Sequence, residues 1–212
     1  ENDRMGGHDP YSASKGCSEL ITLSYQRSFF NHKKKLLASA RAGNVIGGGD
    51  WASDRIIPDI VQSAAKGDIV NIRNPLATRP WQHVLEPLSG YLTLGWKLFE
   101  EKSFNEGWNF GPNLNDNLNV ESVVKKAKEY WGKINFKIEN ENSNYHEANL
   151  LMLDCSKANQ MLGWEPVWDI DKAINKTISW YKNYYDSKTL NTENDLDDFI
   201  IDAKKKSLIW TK

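Results

Sequence analysis

The sequence predicts an α/β fold. Short runs of β-forming residues alternate with segments of helical period, and several helices carry readable start and stop signals. The totals permit a buried core: 212 residues, 40% apolar and 11% aromatic. One or two domains fit this length.

The elements follow in order. Asp9-Pro10 reads as a helix start, with Asp as cap and Pro in the first turn. Cys17, Leu20, Ile21 and Tyr25 follow at helical spacing, which predicts a helix from about Pro10 to Phe30. NHKKK is a solvated turn. LLASARAGNVIGGGDW reads as a strand, about Leu36 to Ala42, running into a glycine loop. Asp54 is expected to cap a second helix through about Lys66, closed by Gly67, with Pro58 in its first turn. DIVNIRNP predicts a short strand stopped by Pro75. A third helix is expected from about Glu86 to Glu101, then a buried strand in GWNFGP. Val120, Val123, Val124, Ala127 and Trp131 form one side of an amphipathic helix. NFKIEN is expected as a strand and DCSKANQMLGW as a short capped helix. Ile170, Ala173, Ile174, Thr177, Ile178 and Tyr181 mark the face of a long helix. From Ser187 onward Asn, Asp, Glu and Lys dominate, which predicts either a surface helix, about Leu196 to Lys206, or partial disorder.

With 27 basic and 28 acidic side chains, nothing electrostatic points to nucleic acid or an anionic membrane. No apolar run approaches the roughly 18 residues of a membrane span. Cys17 and Cys155 form neither a CxxC pair nor a Cys/His cluster, so zinc is not expected. Nor do they make a disulfide framework, and a reducing cytoplasm is the simplest compartment. Nine Trp is a high number. They read first as core residues and secondarily as stacking walls for a planar ligand.

Chemistry is concentrated in a few places. Tyr11 and Lys15 are four apart and share a helical face. An ammonium beside a phenol stabilises the phenolate, which lets a tyrosine act as a base. The plain alternative is an ordinary surface pair. RAGNVIGGGDW matches neither nucleotide fingerprint, and a tight connection competes with a phosphate loop. Asn44 offers a bidentate amide, and Asp50 and Trp51 are placed to line a pocket. Arg55, Arg73 and Arg79 are candidates for phosphate, against structural ion pairs. His146-Glu147 is a polar pair at a loop end, and His83 reads as a satisfied buried histidine.

Together, GGHDPYSASKGCSEL, RAGNVIGGGDWASDRIIPDIV, IRNPLATRPWQHVLEPLSGYL, EGWNFGP and LDCSKANQMLGWEPVW resemble the nucleotide-sugar branch of the extended short-chain dehydrogenase/reductase superfamily. Within it, they resemble most the family of CDP-glucose 4,6-dehydratases. YxxxK marks only the superfamily; the glycine loop followed by RNP and RPWQHVLEPLSGYL is far more specific. The resemblance covers about Gly6 to Trp180. It implies the closing part of a Rossmann-type doubly wound sheet plus a small α/β nucleotide-sugar-binding domain. It would divide the chain into 1–45 (catalytic helix and late Rossmann strand), 46–85 (substrate segment), 86–115 (return to the Rossmann layer), 116–186 (substrate domain) and 187–212 (extension).

The implied cofactor is NAD and the implied substrate a CDP-sugar, dehydrated through internal hydride transfer. Tyr11 would be the base, with Lys15, Arg41 and Gly43 beside it toward NAD. Asn44, Asp50, Trp51, Arg55, Arg73, Arg79, His146 and Glu147 would meet the substrate. The chain departs from the family in lacking the glycine fingerprint, the acidic residue for the adenosine ribose and the Thr-Asp-Lys type motif of the elimination acid. That departure implies a C-terminal portion, inactive alone, whose partner is a second copy or an N-terminal half, with Leu20 to Phe30 facing it. A nucleotide-sugar epimerase or reductase, and a non-catalytic nucleotide-sugar binding module, stay open as alternatives.

Overall fold

A computed structural model describes residues 5–6, 9–30, 36–100, 104–139 and 150–212. The expected alternation is present. The elements run α1 (Pro10–Tyr25), β1 (Ser39–Ala42), β2 (Asn44–Ile46), α2 (Ile56–Lys66), β3 (Ile69–Ile72), β4 (Thr78–Arg79), β5 (Trp81–His83), α3 (Leu85–Glu100), β6 (Gly107–Phe110), β7 (Leu118–Asn119), α4 (Val120–Tyr130), β8 (Asn135–Ile138), α5 (Ile170–Ser187) and α6 (Thr192–Lys205). Two π-helical turns, Gln26–Phe30 and Ala158–Leu162, complete the helices read at those places.

The caps show why these segments are helical. Asp9 accepts the Ser12 N–H at 2.9 Å and Pro10 opens α1. Asn119 and Asp169 do the same for α4 and α5, each at 2.8 Å. These side chains satisfy N–H groups that the helix itself leaves unpaired. Gly67 closes α2 in the left-handed region at φ 78°. Asp54 does not cap α2. It stands at φ 60°, and the flanking residue is Arg55, which makes no side-chain cap bond.

The strands form pairs. β1–β6, β2–β5 and β3–β8 are parallel, and β4–β7 is antiparallel. The first two pairs are joined through Gln82 on β5, whose amide donates to the Phe110 carbonyl at 2.9 Å. Gly43, between β1 and β2, lies against Pro80; a Cβ there would overlap the Pro80 carbonyl. Asn44 N–H can therefore reach the same carbonyl at 2.8 Å.

The largest core packs α2, β3, β5, α4 and α5 together through Ile60, Val61, Ile72, Val124, Ile134, Ile174 and Tyr181. A second cluster joins α3 and β6 to the Ala158–Leu162 turn around Trp108, Phe110 and Trp164. A third gathers Trp168, Phe199, Ala203 and Leu208. Six of the nine Trp are buried, so their main role is packing. The acidic segment after Ser187 is helical. Lys176 of α5 holds Asp195 at 3.0 Å and Asp198 at 2.5 Å, and Trp168 Nε1 donates to Asp202 at 2.9 Å.

Glu86, at the start of α3, ties two cores together. It is 1% exposed, and its carboxylate accepts the Val167 and Trp168 N–H groups at 2.8 Å each. Burial outweighs those two donors and pushes its carboxyl up to about 7. The folded state therefore keeps a proton that the unfolded chain releases above its ordinary carboxylate range. Its contribution to stability falls as pH rises from about 4.5 to about 7, then levels. Thermal melts across that window should fall more steeply with pH in the native chain than in Glu86→Gln; equal slopes would remove Glu86 as the cause. Gly48 makes a second test. Its Cα faces the Trp180 indole so closely that a Cβ would overlap the ring. Gly48→Ala should cost about 1–3 kcal/mol in denaturant unfolding, the usual range for forcing atoms into a filled site.

Candidate active site

The described residues enclose a broad cleft of about 890 Å³. Its walls come from the start of α1, the β1–β2 junction, the loop into α2, the first turn of α2, the end of β3, and β4–β5. Tyr11, Gly43, Asn44, Asp50, Arg55, Arg73 and Arg79 all line it. These seven come from six different elements or loops between Tyr11 and Arg79, so the fold itself brings them together.

The loop Gly47–Trp51 is fixed by α5. Tyr181 donates to the Asp50 carbonyl at 2.6 Å, and burial pushes its phenol up to about 12, which keeps it a donor. Trp51 packs on Trp180, Tyr181, Tyr184 and Tyr185, with ring centroids 5.1–6.3 Å away. Trp51 is thus part of the loop's anchor and is not among the residues lining the cleft. Two of the three glycines serve this packing: Gly48 lies on Trp180 and Gly49 takes φ 84° beside the same ring, while Gly47 lies against Val84.

Carboxylates hold two arginines at the cleft. Arg55 Nη1 is 2.9 Å from Asp50, and Arg73 Nη2 is 3.6 Å from Asp54. The pairs are largely open to solvent, so each contributes little to stability and can exchange partners cheaply. Arg79 donates to the Thr78 carbonyl at 3.0 Å. Tyr11 is 71% exposed, and the Lys15 ammonium lies over its ring, 5.3 Å from the centroid. Lys15 itself does not line the cleft.

Arg41 has another task. It bonds Glu19 at 2.7 and 3.0 Å and Asn109 at 3.2 Å, half-buried between α1 and the β1–β6 pair. Ser39 adds a 2.6 Å bond to Glu19, whose carboxyl Arg41 holds below its usual range. This cluster docks the Tyr11 helix on the sheet. His146 and Glu147 lie outside the described residues. His83 is buried edge-on against Trp168, and its Nδ1 accepts the Leu85 N–H at 3.4 Å. Burial pulls its imidazole down to about 4, so it stays neutral.

Sequence reasoning passed over Asp59, Asn71 and Asn74, which also line the cleft. Asp59 was hidden because an acid in the first turn of a helix is expected for dipole reasons alone. Asn71 belongs to a strand that alternation could have oriented.

Toward a dinucleotide, the residues present fit at one end only. Tyr11 and Lys15 stand side by side on an exposed helix face, suited to a nicotinamide ribose. Arg41 is committed to Glu19, and the 212-residue sequence holds no GxGxxG cradle. Among the described residues, no three His, Cys, Asp or Glu side chains group as a metal site, and no helix is long and apolar enough to cross a membrane.

If Arg41 is a docking residue, Arg41→Ala should lower the melting temperature and leave nucleotide affinity within about twofold. A tenfold loss of affinity at unchanged stability would instead put Arg41 in the binding site.

A family model described as GDP-mannose 4,6 dehydratase matches residues 1–177. The CDP-glucose 4,6-dehydratase of Salmonella typhimurium is 51% identical over 189 residues, 86% of this chain and 52% of that protein. A dTDP-glucose 4,6-dehydratase of Escherichia coli is 24% identical over 181 residues, covering 81% of this chain and 47% of its own length. The chain therefore spans about half the length of these curated relatives. In fold it is similar to the dTDP-glucose 4,6-dehydratase of Bacillus anthracis, solved in complex with NAD (TM-score 0.68, 22% identity, 89% of this chain and 57% of that one). It is equally similar to a UDP-glucose-4-epimerase of Stenotrophomonas maltophila (TM-score 0.72, 18% identity, 86% and 57%). These matches show a mixed α/β fold with parallel strands shared with part of each solved chain. With more than half of its residues under that family model, the chain belongs to the GDP-mannose 4,6 dehydratase family and is a homologue of CDP-glucose 4,6-dehydratase.

Proposed function

We propose that this chain carries the catalytic tyrosine and the sugar-nucleotide cleft of an NAD-dependent CDP-glucose 4,6-dehydratase. One observation carries the reading: Tyr11 opens onto the same cleft as Asn44, Asp50, Arg55, Arg73 and Arg79. A cleft of about 890 Å³ lies within the usual span of small-molecule sites. The 51% identity to the Salmonella relative supports the dehydratase over other nucleotide-sugar activities.

In this reading the cleft holds CDP-glucose, with the glucose at Tyr11 and the pyrophosphate among the arginines. Arg79 and Arg55 donate forked N–H groups to phosphate oxygens. The Lys15 ammonium stabilises the Tyr11 phenolate, which takes the proton of the sugar 4-hydroxyl and becomes the neutral phenol. NAD, when bound, would supply a hydride acceptor and donor for the internal redox chemistry. Tyr11 and Lys15 are the residues that would hold its nicotinamide ribose. In this reading the two parallel pairs β1–β6 and β2–β5 are the closing part of a Rossmann-type sheet, and the core around α2, α4 and α5 is the substrate domain. The uncovered apolar residues Leu20, Ile21, Tyr25 and Phe29 would meet a further protein surface.

Calorimetry with CDP-glucose should show one site per chain, weakened about tenfold or more by Arg79→Ala. The chain alone with NAD should release no 4-keto sugar, and turnover would contradict the division of labour proposed. A chimera joining the N-terminal half of the Salmonella relative to this chain should turn over. In it, Tyr11→Phe should cut the rate at least a hundredfold with affinity unchanged; an unchanged rate would remove Tyr11 from catalysis.

A further inference from the structure

The wall of the cleft formed by α2 and the end of β3 carries a polar group that the phosphate and sugar chemistry leaves unused. Asp59 lies in the first turn of α2, half-buried, and lines the cleft. Asn71, Arg73 and Asn74 line it from the end of β3, and Asp54 from the loop before α2. Asp54 is set in the left-handed region at φ 60°, a conformation that costs a non-glycine residue energy, and its carboxylate pairs with Arg73 at 3.6 Å. Ile56, Ile57, Val70 and Ile72 supply apolar surface in the same region. Apolar side chains beside directional polar groups suit a heterocyclic ligand. Two carboxylates flanking a single arginine suit a pyrophosphate poorly. They suit a group that offers N–H donors.

We propose that Asp59 is the specificity residue for the nucleobase, its carboxylate accepting an exocyclic amino N–H of cytosine while Arg73 faces the ring acceptors. The inference rests on the nucleotide-sugar reading of the cleft. Its chemistry is the donor and acceptor order of the pyrimidines. Cytosine presents an amino donor at position 4 and acceptors at N3 and O2. Uracil presents an acceptor at position 4 and a donor at N3. A carboxylate held at position 4 accepts from the cytosine amino group and is repelled by the uracil O4. An opposed hydrogen bond discriminates better than a change of shape. Burial, then the charge of Asp54, pushes the Asp59 carboxyl up, the Asp54 backbone N–H and the Arg73 charge oppose that rise, and a donated N–H would add to them.

The competing role for Asp59 is purely structural, as an acid near the positive end of α2. Binding of CDP and of UDP to the 212-residue chain separates the two roles, measured by calorimetry on the native chain and on Asp59→Asn. The amide keeps the shape of the side chain and can donate or accept. The native chain should bind CDP at least tenfold tighter than UDP. Asp59→Asn should bring the two affinities within about threefold, mainly by improving UDP, while circular dichroism and melting temperature report an intact fold. A native chain that binds both equally would overturn the inference. So would an Asp59→Asn ratio equal to the native one, or an equal loss for both nucleotides, and in those cases the cleft would still be a nucleotide site. Binding of neither nucleotide by the folded native chain would overturn the nucleotide reading and this inference with it.

Discussion

The cleft exists because the stretch from Gly47 to Trp51 is pressed against α5. Gly48 has no side chain because the Trp180 ring occupies the space. Tyr181 reaches across 131 residues of sequence to hold the Asp50 carbonyl, and Trp51 closes over the same aromatic group. With the loop fixed, the Asp50 carboxylate can accept from the Ala52 N–H at 3.1 Å and pair with Arg55. The entry to α2 is set by these bonds, and so is the wall carrying Asp54 and Asp59. The rest of the site depends on that contact. Asn44 and Arg79 come from β2 and β4, whose neighbours are fixed by the close approach of Gly43 to Pro80.

A second constraint docks the helix that carries Tyr11. Glu19 gathers Arg41 and Ser39 at the foot of α1, and little else on that helix is buried. Half-buried charge clusters of this kind fix orientation more than they add stability, because desolvation offsets much of the attraction. Tyr11 is thus positioned from one side and left open on the other. The apolar residues on α1 and the exposed Leu92 and Phe99 of α3 lie on faces that nothing described covers.

Much of the fold was legible because its signals are local. Asp9, Pro10 and Gly67 act within one helical turn, where sequence and structure are read on the same scale. The α/β alternation and the face of α5 were legible for the same reason. What escaped depended on distance. Asp54 looks like a cap, but its φ of 60° and its bond to Arg73 are set by tertiary packing. The glycine run reads as a tight connection or a phosphate loop, and only the fold shows Trp180 against Gly48. Trp51 looks like a pocket wall because nothing in the sequence reveals four aromatic neighbours on α5. Arg41 looks like a ligand arginine until Glu19, 22 residues earlier, is found beside it. Asn44, Asp50 and the other three arginines were recognisable by chemistry, and only the fold shows that they share one hollow.

Amide chemical-shift mapping of the isotopically labelled chain titrated with CDP-glucose tests the central claim most directly. The account predicts shifts concentrated at Asn44, Gly47, Asp50, Arg55, Asp59, Arg73 and Arg79, with the exposed faces of α1 and α3 unmoved. Saturating ligand that leaves the cleft amides unshifted, or moves only the faces of α1 and α3, would contradict it.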